Sequence, residues 1–356
     1  MHPTANNSNN SETKHSVTQS ALPTKHDEEL HQTISAMLQK EEHYACRPDW
    51  LERGSGSSRT ANKSRTKKQR IPGGGGSGGS VGSGSGSSSA IIDASCRAKV
   101  CRWIFRTVAH AGMSRETAMI AMSYLDRFLW SKKTSRRTKA QQLRVERARR
   151  DRREYQLVAM TSLYVAIKIH ESSIEMDART MSRLSRGFHS AQDILSCERE
   201  MLPCLQWKMN GPTSYQFIHY ILELLPDATD LNAALKLYAG SRRQVELSVQ
   251  DHVFVPIKRS TVAVAAMLNS LDEIDSIDFS SEERTEFLQR LFESFDLEED
   301  CPLLRLVRKR LLHISHLSSR CHRAPPARRP PQRRSQSPRR VDRIRDCASP
   351  SCISSF

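Results

Sequence analysis

The sequence predicts an all-α protein built from two helical units, and three observations carry that prediction. Apolar residues recur at three- and four-residue intervals along most of the chain's middle. No convincing period-2 alternation and no Asn-Gly hairpin signal between apolar runs is found. The stretch Leu157 to Ile169 (LVAMTSLYVAIKI) is apolar on nearly all sides. The first two favour amphipathic helices over strands, and the third marks a helix buried in the centre of a bundle.

The elements follow in order. Residues 1–26 are Asn/Ser/Thr-rich and are expected to be disordered. Within 27–52 a helix is predicted by Leu30, Ile34, Met37 and Leu38 at helical spacing, with Asp27, Glu28 and Glu29 in its first turn and a stop before Pro48. Residues 53–90 are a Gly/Ser-rich basic linker, with nine of the fifteen glycines between Gly73 and Gly86, too poor in apolar residues to pack. Arg97, Cys101, Ile104, Phe105 and Val108 then define a helix that Gly112 closes as its C′ residue. Ser114 is the predicted N-cap of the next, striped by Ala118, Ala121, Met122, Leu125 and Leu129. After the central apolar helix come a short one over 177–186, closed by Gly187, and a fifth that starts at Ser190 with Asp193 three residues on and reaches Trp207. Pro203 removes one backbone bond from that fifth helix and is expected to disturb its last turn.

The turn Asn210-Gly-Pro-Thr213 opens a second array, with apolar positions at Phe217, Ile218, Ile221 and Leu222, then Leu231, Ala234, Leu235 and Tyr238, then Ala263, Ala265 and Ala266, then Leu288, Leu291, Phe292 and Phe295. The alanine run fits a helical period least clearly. Residues 315–356 are Arg/Pro/Ser-rich and are expected to be unfolded.

Of the net charge of +16, residues 59–70 contribute +6, the insert 131–153 contributes +9 and residues 320–345 contribute +9, which leaves −8 on everything else. The foldable body is therefore mildly acidic, and the basic stretches read as solvated or targeting segments rather than as a nucleic-acid-binding face. Nucleic acid is accordingly not the expected partner. The polar start of the chain and the absence of about 18 uninterrupted apolar residues point away from secretion and membrane insertion. Nine cysteines form no Cys-x-x-Cys pair and read as reduced thiols. His313, His316, Cys321 and His322 fit no metal-ligand spacing, so no metal or cofactor is expected.

Four segments carry a family resemblance. Cys96-Arg-Ala-Lys-Val-Cys-Arg-Trp103, Tyr124-Leu-Asp-Arg-Phe-Leu129, Gln156 to Glu171, and Ile194 to Met201 with Asn210-Gly-Pro-Thr213 resemble, in order and spacing, the helices of the cyclin box. Thr33 to Leu51 resembles the helix that precedes the box in D-type and related cyclins. The resemblance implies tandem five-helix cyclin folds, a box over 91–211 and a diverged second fold over 212–314. It implies a regulatory subunit that binds and activates a cyclin-dependent Ser/Thr kinase, with no catalysis of its own. It also assigns residues. Arg97 and Asp126 would form a buried ion pair between the first two helices of the box. Lys168 and Glu198 match the family's kinase-contacting lysine and glutamate. Val100, Trp103 and Gln156 match a shallow patch that docks Arg-x-Leu motifs of substrates, although Lys99 and Arg106 stand where apolar and acidic residues are usual. Without the resemblance, Lys168 reads as a cation at a helix C-terminus and Glu198 as one charge of a solvated Glu198-Arg-Glu200 face. The insert 131–153 falls where the family has a short connection, and reads as a solvated, partly helical arm.

Ser337-Pro-Arg-Arg340 in the tail resembles a site such kinases prefer, which makes Ser337 a candidate phosphosite beside a basic nuclear-import run, with residence expected in nucleus and cytoplasm. Two other functions fit the same residues: a tandem cyclin-fold protein of the general transcription factor type that binds nucleic acid, and a cyclin-fold scaffold that activates no kinase.

Overall fold

The computed structural model describes residues 25–47, 51, 92–130, 138–275, 277–298 and 300–322. The linker and residues 323–356 of the tail, Ser337 among them, lie outside them. All regular structure in the described residues is helical.

The N-terminal helix α1 spans Lys25–Glu41 and passes into a 3₁₀ turn at Glu42–Tyr44. It ends before the expected boundary, and its last residue, Glu41, points inward to cap a distant helix, accepting from the Ser260 amide at 3.2 Å and from the Ser260 hydroxyl. Leu30 and Ile34 are buried as their spacing requires, against the second unit of the protein rather than the first.

The first unit has the five expected helices: α2 (Ala94–His110), α3 (Arg115–Trp130), α5 (Arg152–His170), α6 (Ala178–Leu184) and α7 (Ala191–Cys204). Helix α5 is central, packed by α2, α3, α6 and α7, and every residue from Tyr155 to Ile167 is buried. Gly112 ends α2 with φ +67°, a left-handed conformation that costs glycine nothing. Ser190 and Asp193 form the expected capping box. Pro203 lies in the last turn of α7, which stops at Cys204, three residues short of the expected end; Gln206 and Trp207, both left-handed, lead the chain away.

The basic insert departs from its expectation. Thr138 and Gln141 form a capping box for a sixth helix, α4 (Lys139–Ala148). Val145 and Ala148 are buried, and α4 packs on α5 and α7. Arg144 binds Glu200 on α7 at 2.6 and 3.1 Å and Glu154 on α5 at 2.5 Å. The described part of the insert, 138–153, is thus partly helical as expected but not a solvated arm: part of its charge is matched to acidic partners supplied by the bundle.

The second unit is α8 (Ser214–Leu222), α9 (Leu231–Gln250), α10 (Arg259–Asp272), α11 (Ser281–Phe295) and α12 (Pro302–His322). The alanine run is its central helix. Ala263, Ala265 and Ala266 are fully buried in α10, where small side chains let α8, α9 and α12 approach closely. A Cβ at Gly240 of α9 would stand 2.7 Å from the Ser270 hydroxyl oxygen of α10. The terminal helix α12 was not legible as a separate element and carries helix past the expected boundary at 314, through His322. Its inward face holds Leu304, Val307 and Leu311.

Candidate functional site

Two ion pairs form where the sequence placed charges on helical stripes. Arg97 on α2 donates from Nε and Nη2 to the two carboxylate oxygens of Asp126 on α3, at 2.9 and 2.7 Å. Both residues are buried. The Arg97 pKa lies above its ordinary value: burial opposes the charge, and Asp126 outweighs that opposition. Nη1 also donates to the Val249 carbonyl on α9 at 2.7 Å. The pair therefore ties two helices of the first unit to the second, a role not contained in the expected pairing.

Lys168, at the C-terminal end of α5, donates from Nζ to Glu198 Oε1 on α7 at 2.7 Å. The side chains are 43% and 11% exposed, so the ammonium is open to solvent while the carboxylate is largely covered. Nζ lies 5.0 Å from the centre of the Tyr164 ring. Burial works against the charge, but the bond to Glu198 raises the Lys168 pKa overall. Glu198 does not belong to a solvated face: it turns toward Lys168 while Glu200 turns toward Arg144. One helix thus presents carboxylates to two of its neighbours, α5 and α4.

The expected docking patch is covered. Val100, Trp103 and Gln156 are 2%, 6% and 9% exposed, and the Gln156 carbonyl oxygen lies 3.2 Å from Nε2 of the buried His189. These side chains are core rather than an open patch. A periodic stripe favours inward packing for all three, and the flanking Lys99 and Arg106 gave no sign of a docking surface.

Sequence reasoning did not single out Arg127 and Arg259, which face the crease between the units with Tyr44, Cys46 and Gly211. The Arg127 guanidinium stacks 4.8 Å from the centre of the Tyr44 ring. Gly211 lies directly under that ring, where a Cβ would come within 2.5 Å of it. The available signal was the adjacency of Asp126 and Arg127: neighbouring residues on a helix cannot share one partner face, so both being on a buried helix requires two partners.

A bundle with a buried, mostly apolar central helix, a buried Arg–Asp tie between its first two helices and a Lys–Glu pair at its surface defines a helical binding module. Residues 84–210 match the family of the cyclin N-terminal domain, so that segment of the chain carries a cyclin box. It is 28% identical to Cyclin-D3-1 of Arabidopsis thaliana over 182 residues, 51% of this chain and 44% of that protein. It is 29% identical to G2/mitotic-specific cyclin-2 of Antirrhinum majus over 138 residues, 38% of this chain and 27% of that protein. The matches span less than half the length of either relative. Among solved structures, a viral cyclin from herpesvirus saimiri aligns with 64% of this chain and 90% of its own, at 13% identity and a TM-score of 0.45.

Proposed function

We propose that the protein is the regulatory subunit of a cyclin-dependent Ser/Thr kinase, which it binds and activates to control progress through the cell cycle, with no catalysis of its own. The carrying observation is the Lys168–Glu198 pair. The family resemblance assigns both positions to kinase contact, and they stand side by side on α5 and α7 with the lysine open to solvent. Activation of such a kinase requires its αC glutamate to reach the β3 lysine and its activation segment to open. A bundle whose central helix is buried along nearly its whole length is stiff enough to hold αC in that position. Residence in both nucleus and cytoplasm is proposed on the basic runs Arg65–Arg70 and Arg328–Arg334, with phosphorylation at Ser337 weakening import.

Affinity purification of the full chain, followed by identification of the bound kinase and assay on a Ser-Pro-x-Arg peptide, tests the reading. A bound and active kinase is expected. A bound but inactive kinase would favour the scaffold, and steeply salt-dependent DNA binding by residues 91–314 with no kinase would favour the nucleic-acid reading.

A further inference from the structure

The crease between the two units holds a cavity of about 90 Å³ whose lining includes neither Lys168 nor Glu198. Its charged lining is Arg97, Arg127, Arg259 and Asp126. Arg97 and Asp126 neutralise one another, which leaves two guanidinium groups, each with five N–H donors and no means of losing its charge.

Arg127 is only 8% exposed. It gives one N–H to the Leu205 carbonyl at 3.3 Å and lays its plane on Tyr44. Arg259 gives one N–H to Ser123 Oγ at 2.9 Å. Among the described residues neither meets a carboxylate at ion-pair distance. Glu41, whose charge reaches Arg259, is engaged at Ser260. Burial lowers the pKa of both guanidinium groups, and Arg259 lowers that of Arg127 further. Ser123, Met209, Val255 and Arg259 are partly exposed and form a mouth to solvent.

Two guanidinium groups that face one cavity, one of them buried, with no carboxylate at ion-pair distance are costly. The space is several times the ~10–15 Å³ that one water requires, and planar guanidinium forks suit the oxygens of a phosphate. We propose that this crease binds a tetrahedral oxyanion, a phosphate group held between Arg127 and Arg259 and bridging the two helical units. The phosphate is either free inorganic phosphate or the phosphorylated side chain of a peptide.

The test uses the full chain in phosphate-free buffer, titrated with inorganic phosphate and with chloride at matched ionic strength, followed by melting temperature and calorimetry. Phosphate is expected to raise the melting temperature saturably and beyond chloride. Arg127→Gln and Arg259→Gln are each expected to weaken phosphate binding by about tenfold or more, the scale of one lost charged contact. Without phosphate both variants should melt no lower than the parent, since each removes a cation that has no carboxylate at ion-pair distance; a purely structural arginine would give a lower value. Arg259→Lys, which retains charge but not the fork, guards against a misfolded Gln variant: weaker phosphate binding supports the site, and unchanged binding overturns it. Arg147→Gln, on the exposed side of α4, should leave affinity unchanged. A phosphoserine hexapeptide that binds more tightly than inorganic phosphate, and depends on both arginines, identifies a peptide-borne group; binding of inorganic phosphate alone identifies the free ion. A phosphate effect equal to that of chloride, or one that survives loss of both arginines, overturns the proposal.

Discussion

The pairs Arg97–Asp126 and Lys168–Glu198 share a 2.7 Å contact and a helix-to-helix setting within one bundle, yet their surroundings give them opposite uses. The first is buried, with side chains 3% and 7% exposed, and bonded again to the second unit through Val249. The second leaves a lysine with nearly half its side chain in water. In a closed site neither partner can be lost without stranding the other, so the pair specifies an arrangement of helices. In an open site the same chemistry costs little to rearrange, so it is available to a partner. Distance alone does not separate a structural pair from a recognition pair; desolvation does.

The comparison breaks most visibly at Arg97. Arg97→Ala is expected to destabilise the fold by about 3–5 kcal/mol, because it strands a buried carboxylate and releases the tie to α9. Urea denaturation measures it. Replacing both partners, as Arg97→Met with Asp126→Leu, should cost clearly less than the single change; equal losses would mean that the tie to Val249, not the ion pair, dominates.

Arg144 sits between the two cases, with its side chain mostly covered and both acidic partners on separate helices. Arg144→Ala should cost about 1–2 kcal/mol, above the ~0–1 kcal/mol of an exposed pair. Amide exchange should accelerate over 139–148 before it does over α5. Exchange unchanged in α4 would show that Val145 and Ala148 hold the helix alone.

Exchanging the charges, as Lys168→Glu with Glu198→Lys, keeps a pair within the protein but reverses what faces outward. Stability should change by less than about 1 kcal/mol, while co-purified kinase is lost. Retention of an active kinase would remove these residues from the contact.

The smallest effect concerns Glu41, whose pKa burial raises above the ordinary 4.5 despite two hydrogen bonds from Ser260. The folded protein then holds this proton more tightly than the unfolded chain does. The contribution of this group to stability is fully present below pH 4.5 and declines as pH rises through the folded value. Glu41→Gln, which keeps an acceptor for the Ser260 amide, should remove that slope, so the variant gains on the parent as pH increases from 4 to 7. A parent and variant with parallel stability curves would show that the carboxylate is solvated.

The sequence by itself determined the helical class, the central place of α5, the caps at Gly112 and Ser190, and the charges of the two ion pairs. Each is written in local periodicity, or in a residue whose backbone preference acts within a turn of the helix. The box itself was legible because four motifs stood in order. Tertiary structure alone decided that the weakly periodic alanine run is the centre of the second unit, since small side chains reveal their role only when neighbouring helices close on them. It decided that the basic insert folds against the bundle, because the carboxylates that match Arg144 lie 10 and 56 residues away in the chain. It decided that Val100, Trp103 and Gln156 are interior, and that Arg127 and Arg259, 132 positions apart in the sequence, meet in one crease. Charges that neutralise or repel across such separations leave no periodic trace, because the interaction depends on distance in space and on the water excluded between the groups.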